Sequence, residues 1–199
     1  MISPRRAVVE LAHHLADHGR DPAGAIHLAL TEGRAPGYAR IGSTSCGDLL
    51  HAVAFAAGCR APTINRDEHT GWRPGVNLSR WFVPPLPHPR LWLPGLEDFR
   101  PGDFGIYDYT TTRAHGFVFL GTDGAGRAIT ADFGQPGGKI YQCNVSPSRI
   151  NGAVHFRGRR VDALVSLDGL SFTAPPETVG EWLTRHGLPV IPWVPYEYL

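Results

Sequence analysis

The sequence is poor in cysteine, and its cysteines follow no pairing pattern. Cys46, Cys59 and Cys143 are the three cysteines among 199 residues, and they show neither an even number nor a CxxC spacing. We therefore expect neither a disulfide framework nor a structural zinc site. A free cysteine of this kind remains available as a reactive thiol.

Long apolar runs are missing as well. No stretch of about 18 apolar residues occurs, so we expect no membrane-spanning helix. In residues 1–20, charges and histidines interrupt the apolar positions, which argues against a signal peptide. We predict synthesis in the cytoplasm, with any export depending on a dedicated secretion system or a phage route.

An excess of charge of either sign is also absent. The chain has 19 Lys and Arg residues against 18 Asp and Glu residues, a net charge of +1. A basic surface for nucleic acid or for an anionic membrane is not indicated, so we expect neither as a partner. No carboxylate or cysteine completes an obvious ligand set with His13, His14 and His18. We expect them on a solvated helix face, with no metal and no cofactor.

Glycine and proline, by contrast, are abundant. The 24 Gly and 18 Pro residues favour long ordered loops over a helix bundle, and the 42% of hydrophobic residues can form a sizeable core. Ser3 as a cap and Gly19 as a stop predict a helix over residues 3–19, with Val8, Leu11 and Ala12 on its apolar stripe. A second short helix is predicted before Gly33.

The rest of the chain divides into a helix, an irregular region and a series of strands. Apolar spacing predicts a helix over residues 45–58, and residues 60–102 are rich in Trp and Pro and are predicted to be irregular. Alternating patterns predict antiparallel strands at 104–109, 114–121, 126–133, 139–143, 154–156 and 161–167. A last helix is predicted at 176–187, followed by an extended tail. This order predicts an α+β fold with an N-terminal helical extension (1–33), a core (34–170) and a C-terminal helix and tail (171–199).

Cys46 is the residue whose position suggests chemistry. It is predicted at the first turn of the helix over residues 45–58, directly after Ser45 as the N-cap. A helix N-terminus stabilises a thiolate, which is the nucleophilic form of cysteine. Cys46 also belongs to the apolar stripe of this helix, so a role as a small buried side chain stays open.

The predicted strands bring a base and carboxylates together. If residues 122–125 form a hairpin loop, His115 lies opposite Asp132, and a loop at 110–113 places Asp108 on the other side of His115. A carboxylate beside an imidazole can fix its tautomer for general-base catalysis. Asp132 is therefore the predicted orienting residue, and Asp108 is the alternative.

Three segments together resemble a known enzyme group. Ser45-Cys46-Gly47-Asp48-Leu49-Leu50, Arg100-Pro101-Gly102-Asp103-Phe104 and His115-Gly116-Phe117-Val118-Phe119-Leu120-Gly121 resemble the NlpC/P60 and CHAP group of papain-like cysteine hydrolases. The resemblance implies a papain-like fold, in which an antiparallel sheet packs against the helix that carries the nucleophile. It also implies a Cys46–His115–Asp132 triad, with Tyr38 and Ser45 as oxyanion or substrate-binding residues.

The resemblance implies thiol-dependent hydrolysis of an amide bond. The expected substrates are peptidoglycan stem peptides, cleaved by a peptidase or amidase that serves as a lytic enzyme or as a delivered antibacterial effector, with an immunity or carrier protein as a possible partner. Two alternatives stay open: a non-enzymatic binding module of the same fold, and a cysteine deamidase or acyltransferase that modifies a host protein.

Overall fold

A computed structural model describes residues 3–17, 53, 90–108, 115–134, 137–146, 149–169, 181 and 184–185. Helix α1 spans Pro4–Asp17 and confirms the first predicted helix. Its N-terminus is capped as expected, since the Ser3 hydroxyl accepts the backbone N–H of Arg6 at 3.2 Å. Residues 53, 181, 184 and 185 are helical, in the regions where two further helices are predicted. The other residues of those helices, and the predicted helix before Gly33, lie outside the described residues.

Helix α1 is enclosed more fully than its sequence pattern predicts. Val8, Leu11 and Ala12 of the predicted stripe are buried, but so are the residues between them, including Glu10 and His13. The expectation of a solvated face is therefore wrong for His13. The reason is that the helix lies against β3, β4 and β5 of the sheet and is covered around most of its circumference over residues 7–13. The side chain of His14, and all of His18, lie outside the described residues.

The sheet consists of antiparallel strands in the predicted order. The strands are β1 (Arg90–Trp92), β2 (Phe104–Tyr107), β3 (His115–Thr122), β4 (Ala128–Gly134), β5 (Gly137–Cys143), β6 (His155–Phe156) and β7 (Arg159–Val165). The last six confirm the predicted strands with shifted ends. β1 is an addition, because it lies in the region predicted to be irregular, and it pairs with β7.

The strand order makes the sheet close nearly into a ring. Neighbouring strands follow the order β1-β7-β2-β3-β4-β5, and β6 pairs with β7. Beyond the end of β5, Val145 forms an isolated bridge with Phe156 of β6. The chain is thus a mixed α/β structure, in which a mostly antiparallel sheet returns almost to its starting strand.

An aromatic cluster fills one side of this sheet, which we call the aromatic side. Its buried members are Phe99, Tyr107, Phe117, Phe119, Ala128, Cys143, Val154, Phe156, Val161 and Leu164. Alternate residues of the same strands, such as Phe104, Ile106 and Val118, are buried on the opposite side. Both sides of the central strands are therefore covered.

The Pro-Gly-Asp segment before β2 ties several elements together. Asp103 is buried, and its carboxylate accepts the backbone N–H groups of Arg100 and Leu167 and the guanidinium of Arg5 from α1. Gly102 adopts a φ of +94°, a conformation that favours glycine, and its N–H donates to Phe119 at 2.7 Å. This segment fixes the start of β2 next to β3, the strand that carries His115.

Within the described part of the chain, no helix has both the length and the apolar character needed to cross a membrane.

Candidate active site

His115 and Asp132 meet on the aromatic side of the sheet. Nε2 of His115, at the start of β3, lies 3.4 Å from Oδ2 of Asp132 in β4. The Asp132 side chain is 8% exposed, whereas that of His115 is 24% exposed. The pair therefore combines a shielded carboxylate with an imidazole that solvent or a ligand can still reach.

The strand register that produces this contact differs from the prediction. Phe117, not His115, is the partner of Asp132 across β3 and β4. The loop between these strands runs from residue 123 to 127, because Asp123 binds the N–H groups of Ala125 and Arg127, and the register shifts again between Phe119 and Gly121. The observed pairing of β3 with β4 is displaced by two residues from the predicted one. His115 therefore stays on the same side of the sheet as Asp132 and reaches it diagonally.

Asp108 does not occupy the place predicted for it. Tyr107, not Asp108, lies opposite His115, and a shift of one residue directs successive side chains to opposite sides of a strand. Asp108 adopts a φ of +49° at the end of β2. Its carboxylate accepts Arg159 Nε at 2.8 Å and the backbone N–H of Arg160 at 3.3 Å. The predicted pairing of Asp108 with His115 is therefore wrong.

A hydroxyl holds the other oxygen of Asp132. The buried Thr130 Oγ1 donates to Asp132 Oδ1 at 2.8 Å, so Oδ2 is the oxygen that faces His115. Thr130 Oγ1 also lies 3.5 Å from Cys143 Sγ. The Cys143 thiol donates to the Tyr141 carbonyl oxygen at 3.9 Å. Asp132, Thr130 and Cys143 thus form a buried run of polar contacts.

Cys143 is unsuited to act as the nucleophile. It is a free, fully buried cysteine of the aromatic cluster. Burial raises the pKa of its thiol, and the negative charge of Asp132 acts in the same direction. Cys143 is therefore a packing residue of this cluster.

Tyr107 forms a wall beside the imidazole. Its ring is nearly parallel to that of His115, with centroids 6.1 Å apart and an interplanar angle of 7°, and it stacks on Phe117 at 4.2 Å. Burial, and then the charge of Asp132, raise the pKa of Tyr107 far above the ordinary phenol value. Tyr107 therefore remains a neutral aromatic surface around neutral pH.

The remaining predicted site residues, Cys46, Tyr38 and Ser45, lie outside the described residues. Within the described ranges, no group of three or more His, Cys, Asp or Glu side chains is arranged to hold a metal ion.

Sequence reasoning missed Thr130 and Tyr107. Thr130 was recognisable in principle, because side chains two residues apart on a strand share a side of the sheet, whereas Tyr107 depended on the β2–β3 register. Thr130 stands in this relation to Asp132, and Tyr107 is the β2 partner of His115.

Comparisons of this chain with protein-family models, with curated proteins and with solved structures found no match.

Proposed function

We propose that the chain is a thiol-dependent amide hydrolase in which Cys46 is the nucleophile, His115 the base and Asp132 the residue that orients His115. The contact between His115 Nε2 and Asp132 Oδ2 carries the proposal. A carboxylate beside one ring nitrogen favours the tautomer in which that nitrogen bears the proton. The other nitrogen, Nδ1, is then the one that takes a proton from a nucleophile.

The reaction proceeds by acyl transfer. His115 removes the proton of the Cys46 thiol, and the sulfur attacks the carbonyl carbon of the scissile amide. The imidazolium then gives its proton to the leaving amine, and water releases the acyl group from Cys46 while His115 again acts as base. The backbone N–H of Cys46, with Tyr38 and Ser45 nearby in sequence, would stabilise the oxyanion. The papain-like arrangement, with Cys46 on a helix against the sheet, is part of this proposal.

The expected substrates are peptidoglycan stem peptides, and the protein would act as a lytic enzyme or as a delivered antibacterial effector. The test is incubation of purified peptidoglycan, and of a peptide library, with the wild type and with Cys46→Ala and His115→Ala. We expect loss of product in both variants, while Cys59→Ala, as a matched cysteine control, retains activity. Equal product from the wild type and both triad variants would refute the hydrolase.

The two carboxylates provide a second, independent test that needs no substrate. Asp132→Asn removes a negative charge next to the imidazole, so the pKa of His115 should fall. Asp108→Asn should leave it nearly unchanged, because the Asp108 carboxylate is engaged by Arg159. NMR titration of the His115 ring protons measures both. A pKa that moves equally in the two variants would contradict the assignment of Asp132 as the orienting residue.

A further inference from the structure

The hairpin turn between β6 and β7 contains an arginine where its backbone favours another residue. Phe156 pairs with Arg159, so Arg157 and Gly158 form a two-residue loop, and their φ values are +56° and +74°. Positive φ at both positions is the signature of a type I′ turn, which favours Asn, Asp or Gly at the first position.

The same chain uses the favoured pair one turn earlier. Asn151 and Gly152, with φ values of +52° and +79°, lie between the bridged residues Ile150 and Ala153. Arg157 therefore departs from a preference that the neighbouring turn follows. A residue in a disfavoured backbone conformation is retained when its side chain contributes something in return, and such positions are frequent at functional sites.

The Arg157 side chain extends back over the sheet. Its guanidinium carbon lies 3.5 Å from the centre of the Tyr141 ring. Tyr141 is the β5 partner of Thr130, the residue that binds Asp132. Desolvation lowers the pKa of Arg157, but the hydrogen bond with Tyr141 and the attraction of Asp132 outweigh it and raise this pKa. A permanent positive charge is thus held over Tyr141 of β5, the strand next to the one that carries Asp132.

Arg159 of the same hairpin offers a direct comparison. Its guanidinium lies 4.6 Å from the centre of the Tyr107 ring, and its Nε is also paired with Asp108 at 2.8 Å. No carboxylate among the described residues lies within ion-pair distance of Arg157. A guanidinium has several N–H donors, so its contact with Tyr141 leaves donors for a planar anion such as a carboxylate.

We infer that Arg157 binds a carboxylate group of the substrate and positions the amide next to it at His115. The ligand is a peptide that carries a free carboxylate close to the scissile bond. This inference rests on the proposed function for its meaning in catalysis, but carboxylate binding itself can be measured without turnover.

The experiment uses two isosteric probes, the acetylated and amidated peptides Ala-Glu-Ala and Ala-Gln-Ala. They are titrated into the Cys46→Ala protein, which cannot turn them over, while NMR follows the Tyr141 ring. We expect the Glu peptide to bind about tenfold more tightly than the Gln peptide. Arg157→Asn should abolish this preference, and Arg159→Gln, the matched control, should retain it.

The Asn substitution also guards against unfolding as an explanation. Asn is favoured in this turn, so Arg157→Asn should melt at or above the wild-type temperature while it loses carboxylate preference. The inference would be overturned if the protein that retains Arg157 showed no preference for the Glu peptide. It would also be overturned if Arg157→Asn showed the same preference as that protein. A carboxylate preference together with unchanged hydrolysis in the Cys46 and His115 variants would refute the hydrolase and leave the anion site standing.

Discussion

At the scale of single residues, the Thr130 hydroxyl decides which oxygen of Asp132 faces His115. It occupies Oδ1 at 2.8 Å and leaves Oδ2 for the imidazole. Since Thr130 is buried, water cannot take over this hydrogen bond if the hydroxyl is removed.

Thr130→Val keeps the shape of the side chain and removes its donor. We expect the free energy of unfolding to fall by about 1–3 kcal/mol, because a buried carboxylate oxygen loses its partner. kcat should fall on any substrate of the proposed reaction, with little change in KM. Thr130→Ser restores the donor and should recover most of both. Denaturant unfolding and steady-state kinetics measure the two effects, and a Val variant as stable and as active as the wild type would contradict the role of Thr130.

At the scale of secondary-structure elements, the ring of Phe117 in β3 packs directly over Gly105 of β2. A Cβ at Gly105 would overlap the ring of Phe117, a buried member of the aromatic cluster. Gly124, in the β3–β4 turn, has open space around the corresponding position.

Gly105→Ala should therefore destabilise the protein by about 1–3 kcal/mol, because the Phe117 ring must move within a packed core. Gly124→Ala, the matched control, should change the free energy of unfolding by less than about 0.5 kcal/mol. Urea unfolding of the two variants gives the comparison. Equal stability would show that the Phe117 ring moves at little cost, contrary to the packing described.

The β3–β4 turn should contribute a pH-dependent part of the stability. The backbone N–H of Arg127 is the main group that lowers the pKa of Asp123 below its ordinary 3.8, and the Arg127 side chain and the N–H of Ala125 act in the same direction. Because the folded-state pKa is depressed, this contribution is fully present above pH 3.8 and is lost as the pH falls through the folded-state pKa.

Asp123→Asn should thus lower Tm at neutral pH, and the gap to the wild type should close in acid. Thermal unfolding from neutral pH down to about pH 2 measures the gap. A constant gap over this range would mean that the Asp123 charge contributes nothing to the turn.

The strands also show how much of the fold could be predicted from the sequence. The period-two pattern located six strands, since alternation is a local property of each segment. β1 escaped because Arg90–Trp92 is only three residues long and becomes a strand by pairing with Ala163–Val165, far along the chain. Its existence depends on tertiary contacts that no local pattern encodes.

The strand register limited how much of the candidate site could be predicted from the sequence. The Asp123 hydrogen bonds and the shift after Phe119 lie in side-chain and backbone detail that spacing alone does not reveal. The predicted register of β3 and β4 was displaced by two residues, which keeps each side chain on its side of the sheet, so His115 and Asp132 remained neighbours. The predicted register of β2 and β3 was displaced by one residue, so Tyr107 takes the place expected for Asp108.

At the scale of the whole molecule, Arg5 joins α1 to the sheet. It binds Asp103 Oδ1 at 2.8 Å, the carbonyl of Pro101 at 2.9 Å and Ser166 Oγ at 3.2 Å. Arg100 shares Asp168 with Arg5, but both Arg100 and Asp168 are largely exposed.

Arg5→Gln should cost about 1.5–3 kcal/mol of unfolding free energy, because the buried Asp103 carboxylate loses a charged donor. Arg100→Gln should cost less than about 1 kcal/mol, as exposed ion pairs do. Chemical denaturation distinguishes them. Similar values for both would mean that α1 is held by apolar contacts alone.

The isolated bridge between Val145 and Phe156 makes this seam weaker than the pairing of β3 with β4. It is supported on each side by the N–H of Ser146 to His155 and the N–H of Arg157 to Asn144, whereas β3 and β4 share a long ladder. Local opening therefore begins there, and the amides of Ser146 and Arg157 should exchange with solvent before those of β3. Because Arg157 contacts both Asn144 across this seam and the Tyr141 ring, each such opening should also loosen the guanidinium that we propose binds the substrate carboxylate.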